Sequence, residues 1–247
     1  WLDILRKDPA YKPAHFELAE YYFRKKNLAE SEKSFKAIIA LDTLNQDAKL
    51  GLARILVEKG YFEEADTQLK EVTRLNPLHP KLYFVYGESY FKQRKYDLAK
   101  ENFIRSKNLD PDQPEVHSRI AQIIQRQNDP KAAEYHYNQA VILDNRNIAH
   151  YAKLSDFYLK QKEWQRLYDV YAESESRFQN DPIFFYNYAL TADKLGKQSE
   201  AVKLMETSLK LNSENPFSQM LYYYKLRTYD EPQKQSQYAS TYFKKAK

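Results

Sequence analysis

Any chemistry this chain could perform would rest on five histidines, His15, His79, His117, His136 and His150, and on 34 carboxylates. No two histidines stand four residues apart and no His-Glu-x-x-His run occurs, so no helical zinc pair is spelled out. Cysteine is absent, which removes disulfides, thiolate nucleophiles and Cys-based metal sites. No glycine-rich phosphate loop of the GxGxxG or P-loop kind occurs. Carboxylates fall beside one another on solvated helices at this density, and acid–base work would need a buried pair. The expectation is therefore of no catalytic residue, no metal and no cofactor.

Thirty per cent of the 247 residues are charged and 43% hydrophobic, an ordinary soluble composition. No apolar run approaches 18 residues, so no membrane span is expected. The absence of cysteine does not choose a compartment. The cytoplasm fits, and so does the cell envelope if an export signal was trimmed. The formal net charge is +5, but residues 1–215 carry 33 basic and 32 acidic side chains, interspersed, and residues 216–247 carry 6 and 2. Without a continuous basic stripe, nucleic acid is not an expected partner.

The elements that would position any site follow from a repeat. Leu41-Asp42-Thr43, Leu75-Asn76-Pro77, Leu109-Asp110-Pro111, Leu143-Asp144-Asn145 and Leu211-Asn212-Ser213 are spaced by 34 residues or a multiple of it. Pro80, Pro114, Pro182 and Pro216 share that grid, at a place where proline suits a first helical turn. With repeats starting at 12, 46, 80, 114, 148, 182 and 216, the eighth position reads Ala19, Ala53, Gly87, Ala121, Ser155, Ala189 and Tyr223. The twentieth reads Ser31, Ala65, Ala99, Ala133, Leu167, Ala201 and Gln235. The 22 tyrosines mostly fall at bulky columns, such as Tyr22, Tyr90 and Tyr158 at position 11, and so read as packing and not as base-stacking platforms.

Repeat 3, with Tyr83, Tyr86, Gly87, Tyr90, Ala99, Phe103 and Pro111, resembles the tetratricopeptide repeat (TPR) closely, and seven registered copies extend the resemblance over nearly the whole chain. The resemblance implies an all-α fold, a right-handed superhelical solenoid of antiparallel helix pairs. It implies six repeats over 12–215 and a divergent seventh repeat or polar C-terminal cap over 216–247. Residues 1–11 fit the end of a preceding second helix, which implies that the natural protein extends N-terminally. Gly87 is read as a site where the two backbones of a pair approach closely, and Gly60 and Gly196 as left-handed C-terminal residues of first helices. Repeat 5 departs from the pattern, with Leu167 at position 20 and Arg177-Phe178-Gln179 at its end, so local distortion is expected there.

In the family, first-helix positions 2, 5, 9, 12 and 13 line a concave face. That rule selects Phe16, Glu20, Phe23, Leu50, Arg54, Val57, Lys81, Phe84, Glu88 and Phe91 as a partner-binding groove, apolar at its floor with charges at its edges. Repeat 4 turns polar, with Ser118, Gln122 and Gln125 in the same rows. The Lys/Asn/Arg clamp of chaperone-tail receptors is not matched, because positions 5 and 9 read Phe16/Glu20, Leu50/Arg54 and Phe84/Glu88. The resemblance thus implies a non-enzymatic scaffold that binds a peptide or helix of another protein. Two alternatives stay open: a self-assembling module, through the run Leu221-Tyr222-Tyr223-Tyr224 or the N-terminal end, and the substrate-recruiting arm of a larger enzyme.

Overall fold

The computed structural model describes residues 1–212 and, beyond them, positions 219, 222, 223, 226–228, 233 and 236. The cap expected over 216–247, and with it the tyrosine run at 221–224, lies largely outside the described residues. All regular structure among the described residues is helical. The chain divides into two compact units, Trp1–Asp144 and Asn145–Lys247.

The first unit holds α1 (Leu2–Lys7), α2 (Lys12–Arg24), α3 (Leu28–Leu41), α4 (Gln46–Lys59), α5 (Phe62–Leu75), α6 (Pro80–Lys92), α7 (Tyr96–Leu109), α8 (Pro114–Arg126) and α9 (Pro130–Leu143). The second holds α10 (Ile148–Gln161), α11 (Trp164–Ser174), a 3₁₀ turn (Glu175–Arg177), α12 (Pro182–Lys194) and α13 (Gln198–Leu211). Every helix from α2 onward begins at one of two offsets within the 34-residue period, and within each unit consecutive helices pack as pairs.

Local chemistry explains the punctuation. The Asp or Asn after each Leu turns the chain toward the next repeat. Asp42 and Asp110 stand in extended backbone, and the side chains of Asp42, Asn76 and Asp110 each accept the N–H two residues on, all at 3.2 Å. Side-chain caps from Asn27, Asn45, Asp129, Asn147 and Asp181 start five of the helices. Between the helices of each pair one residue is left-handed: Gly60 (φ 84°) and Gly196 (φ 74°), as expected, but also Lys26, Arg94, Asn128 and Lys162, with φ between 59° and 61°. All six stand at position 15 of the period, so four repeats hold this strained conformation without glycine.

Burial follows the columns. Ala19, Ala53, Ala121 and Ala189 at position 8, and Ser31, Ala65, Ala99, Ala133 and Ala201 at position 20, are all fully covered. Position 24 carries the large partner in each pair, including Phe35, Leu69, Phe103 and Tyr137, all buried. Gly87 requires a correction. A Cβ there would lie 2.5 Å from Cε1 of Phe103, so glycine makes room for a ring, not for a neighbouring backbone. Gly51 does the same for the ring of Phe35, across the boundary between two repeats.

Repeat 5 is distorted as its sequence suggests. Helix α11 runs for 11 residues against 14 in α13, and the 3₁₀ turn replaces its last turn. Phe178 then folds inward to pack edge-on against Tyr151 and tilted against Phe184, at ring distances of 5.1 and 5.4 Å.

Candidate functional site

The first helices of the first unit, α2, α4, α6 and α8, each present positions 2, 5, 9 and 12 on one face, because those steps return to the same side of a 3.6-residue helix. Nine of the ten residues selected from sequence line one cavity of about 510 Å³. Phe16, Phe23 and Phe84 are half-buried, while Leu50 and Val57 are almost fully covered and form its floor. Phe91 is the tenth and stands outside the cavity lining, with its ring 5.6 Å from Tyr96.

Several of the charges at the edges of the groove are paired with one another within it. Arg54 donates to both carboxylate oxygens of Glu20 at 3.2 and 3.4 Å and lies 4.0 Å over the Phe23 ring. Glu88 is buried, at 7% exposure, and takes two hydrogen bonds from Arg119, at 2.5 and 2.8 Å. Two charge-assisted bonds compensate a carboxylate that would otherwise be expensive to desolvate. Arg119 also stands 5.0 Å from the Phe91 ring. Glu58 pairs with Lys92 at 2.9 Å. These pairs join consecutive first helices and hold the groove walls in register.

Arg119 was missed because it sits at position 6, off the face that the family rule selects. Its place following a glutamate at position 9 of the preceding repeat is the only signal that could have suggested it. At the mouth of the groove, Lys81 and Glu115 are exposed and have no partner among the described residues, and Asp47 lies 3.4 Å from His79 Nε2.

Three of the five histidines make contacts that hold the helices and turns in place. His15 Nε2 lies 2.9 Å from the Pro9 carbonyl, as the hydroxyl of Tyr83, at the same repeat position, lies 2.7 Å from that of Pro77. His117 is buried and bonds the Pro111 carbonyl, and its Nδ1 lies 3.0 Å from Nδ1 of His136 on the paired helix. A carbonyl only accepts, so His117 donates there, and the Nδ1 of its neutral ring accepts a hydrogen bond from Nδ1–H of His136. Burial, then the repulsion that a protonated His117 would add, then Lys107 and Lys100 push His136 down to about 4. Burial and Lys107 also lower His117. Among the described residues no three metal-ligating side chains converge, and no helix is long and apolar enough to cross a membrane.

Tetratricopeptide repeat models match residues 1–45, 50–101 and 184–215, about half of the chain. The chain belongs to the tetratricopeptide repeat family. Its similarity to the type IV pilus assembly protein PilF of Pseudomonas aeruginosa is 25% identity over 136 residues, which is 54% of each protein. The TPR chain thus spans about half the length of that curated relative. Its fold resembles the C-terminal part of a TPR repeat-containing protein of Cytophaga hutchinsonii, with a TM-score of 0.67, 13% identity and coverage of 92% of this chain and 93% of that one. It also resembles a chain of the Cut9–Hcn1 hetero-tetramer of the APC/C, with a TM-score of 0.64, 19% identity and coverage of 91% of this chain and 44% of that one. At these identities the structural likeness speaks for the TPR fold alone.

Proposed function

We propose that this TPR chain is a non-catalytic protein-interaction scaffold whose groove in the first unit receives a peptide or helical segment of a partner. The observation that carries the reading is the cavity itself. Phenylalanines at repeat position 5 or 12 stand half-buried around a volume of about 510 Å³, within the range of roughly 300–1,000 Å³ that receives ligand groups. Interfaces characteristically seat aromatic anchors in such pockets, ringed by polar side chains. The PilF relative is named for its part in assembling a pilus, which supports a role in holding components of a larger assembly together. Its likeness to this chain also supports a place associated with the cell envelope.

Selection of a displayed library of short random peptides on the full chain tests this reading. The selected peptides should lose binding to Phe84→Ser and to Phe23→Ser while circular dichroism reports unchanged helical content. Peptides that bind both variants as tightly as the parent protein would overturn it.

A further inference from the structure

We infer that the segment taken up by this groove is cationic and amphipathic: bulky apolar side chains entering between Phe16, Phe23 and Phe84, with lysine or arginine beside them. The inference rests on the groove reading above and adds the chemistry of the occupant. The first unit as a whole is almost neutral, with 23 basic and 22 acidic residues over 1–144. Its groove is not, because six carboxylates line the cavity against three cations.

The internal ion pairs sharpen this imbalance. Glu20 is neutralised by Arg54, Glu88 by Arg119, and Glu58 by Lys92 just outside the lining. What remains to meet a ligand is Asp47, Asp110 and Glu115 against Lys81 alone. The side chain of Asp47 is 58% exposed, and Glu115 is exposed without a partner among the described residues. Asp110 accepts the backbone N–H of Asp112, a bond that leaves its charge uncompensated.

One effect runs the other way. Asp47 and Glu115 occupy the first turns of α4 and α8, where the helix dipole favours anions. That attraction fades within a turn and is screened at an exposed site. Each carboxylate presents a full negative charge to an ammonium or guanidinium, against the roughly half positive charge of a helix N-terminus. The carboxylates therefore decide the sign of the ligand that the mouth of the groove prefers.

Two fluorescent twelve-residue peptides test the inference on the full chain, one of alternating leucine and lysine clusters and its twin with every lysine replaced by glutamate. The lysine peptide should bind about tenfold more tightly, with an affinity that falls as salt rises. The double variant Asp47→Lys/Glu115→Lys, with helical content unchanged, should abolish or reverse that preference. Equal binding, or a preference for the glutamate peptide, combined with loss of both on Phe84→Ser, would overturn the cationic occupant and leave the groove standing. Failure of both peptides to bind, or binding indifferent to Phe84→Ser, would overturn the groove as well.

Discussion

The ring of Phe103 fills the space that a side chain at Gly87 would need: a Cβ on Gly87 would stand 2.5 Å from Cε1 and 2.6 Å from Cδ1 of a phenylalanine with no exposed surface. The two residues belong to the paired helices of one repeat, sixteen positions apart. Helix propensity alone would favour replacing Gly87, by about 1 kcal/mol for alanine. The ring has nowhere to move, so packing decides.

Gly87→Leu should therefore destabilise the protein by about 1–3 kcal/mol through overpacking. The penalty should shrink when Phe103→Ala is introduced with it. Denaturant titration of the two single variants and the double variant measures the coupling. An additive result would mean that Phe103 is not what excludes the side chain.

Lys26, Arg94, Asn128 and Lys162 hold left-handed backbone at the position where Gly60 and Gly196 hold it in other repeats. Left-handed backbone costs a residue with a Cβ about 1–2 kcal/mol, and glycine gives back roughly 0.5–1 kcal/mol of that in unfolded-state entropy. Lys162→Gly should accordingly stabilise the protein slightly, by about 0–1 kcal/mol. A clear loss of stability on chemical unfolding would contradict the argument.

Burial of His136, reinforced by its contact with His117, makes stability depend on pH. Unfolded histidines take up protons near 6.5, whereas folded His136 stays neutral down to about 4. Below 6.5 the unfolded state binds more protons than the folded one, so stability should fall as the pH drops from about 6.5 toward 4 and level off beneath that. The contribution is fully present above 6.5. In thermal melts across this range, His136→Gln should flatten the slope relative to the parent protein. An identical slope would show that another group titrates.

The period, and everything that depends on it additively, was legible in the sequence. Small residues at positions 8 and 20, bulky ones at 24, and Asp or Asn after each terminal leucine recur because each helix pair must pack on the next in the same way. Those columns placed the helices, and nine of the ten residues they selected are among the 17 that line the cavity. The shortened end of repeat 5 was visible for the same reason, as a break in the column.

Other features were decided between side chains that the period does not relate. Arg119 reaches Glu88 from position 6, off the expected face, and the bond turns a presumed edge charge into a buried, neutralised one. His136 meets His117 across the pair, a contact that depends on both rings' reach. Phe35 leans on Gly51 of the next repeat, while Phe103 turns to Gly87 of its own. A repeating pattern determines which face of each helix is covered, because burial sums over the whole face. The partner each charge or ring selects depends on a few ångströms of side-chain geometry, and only the tertiary structure supplies that.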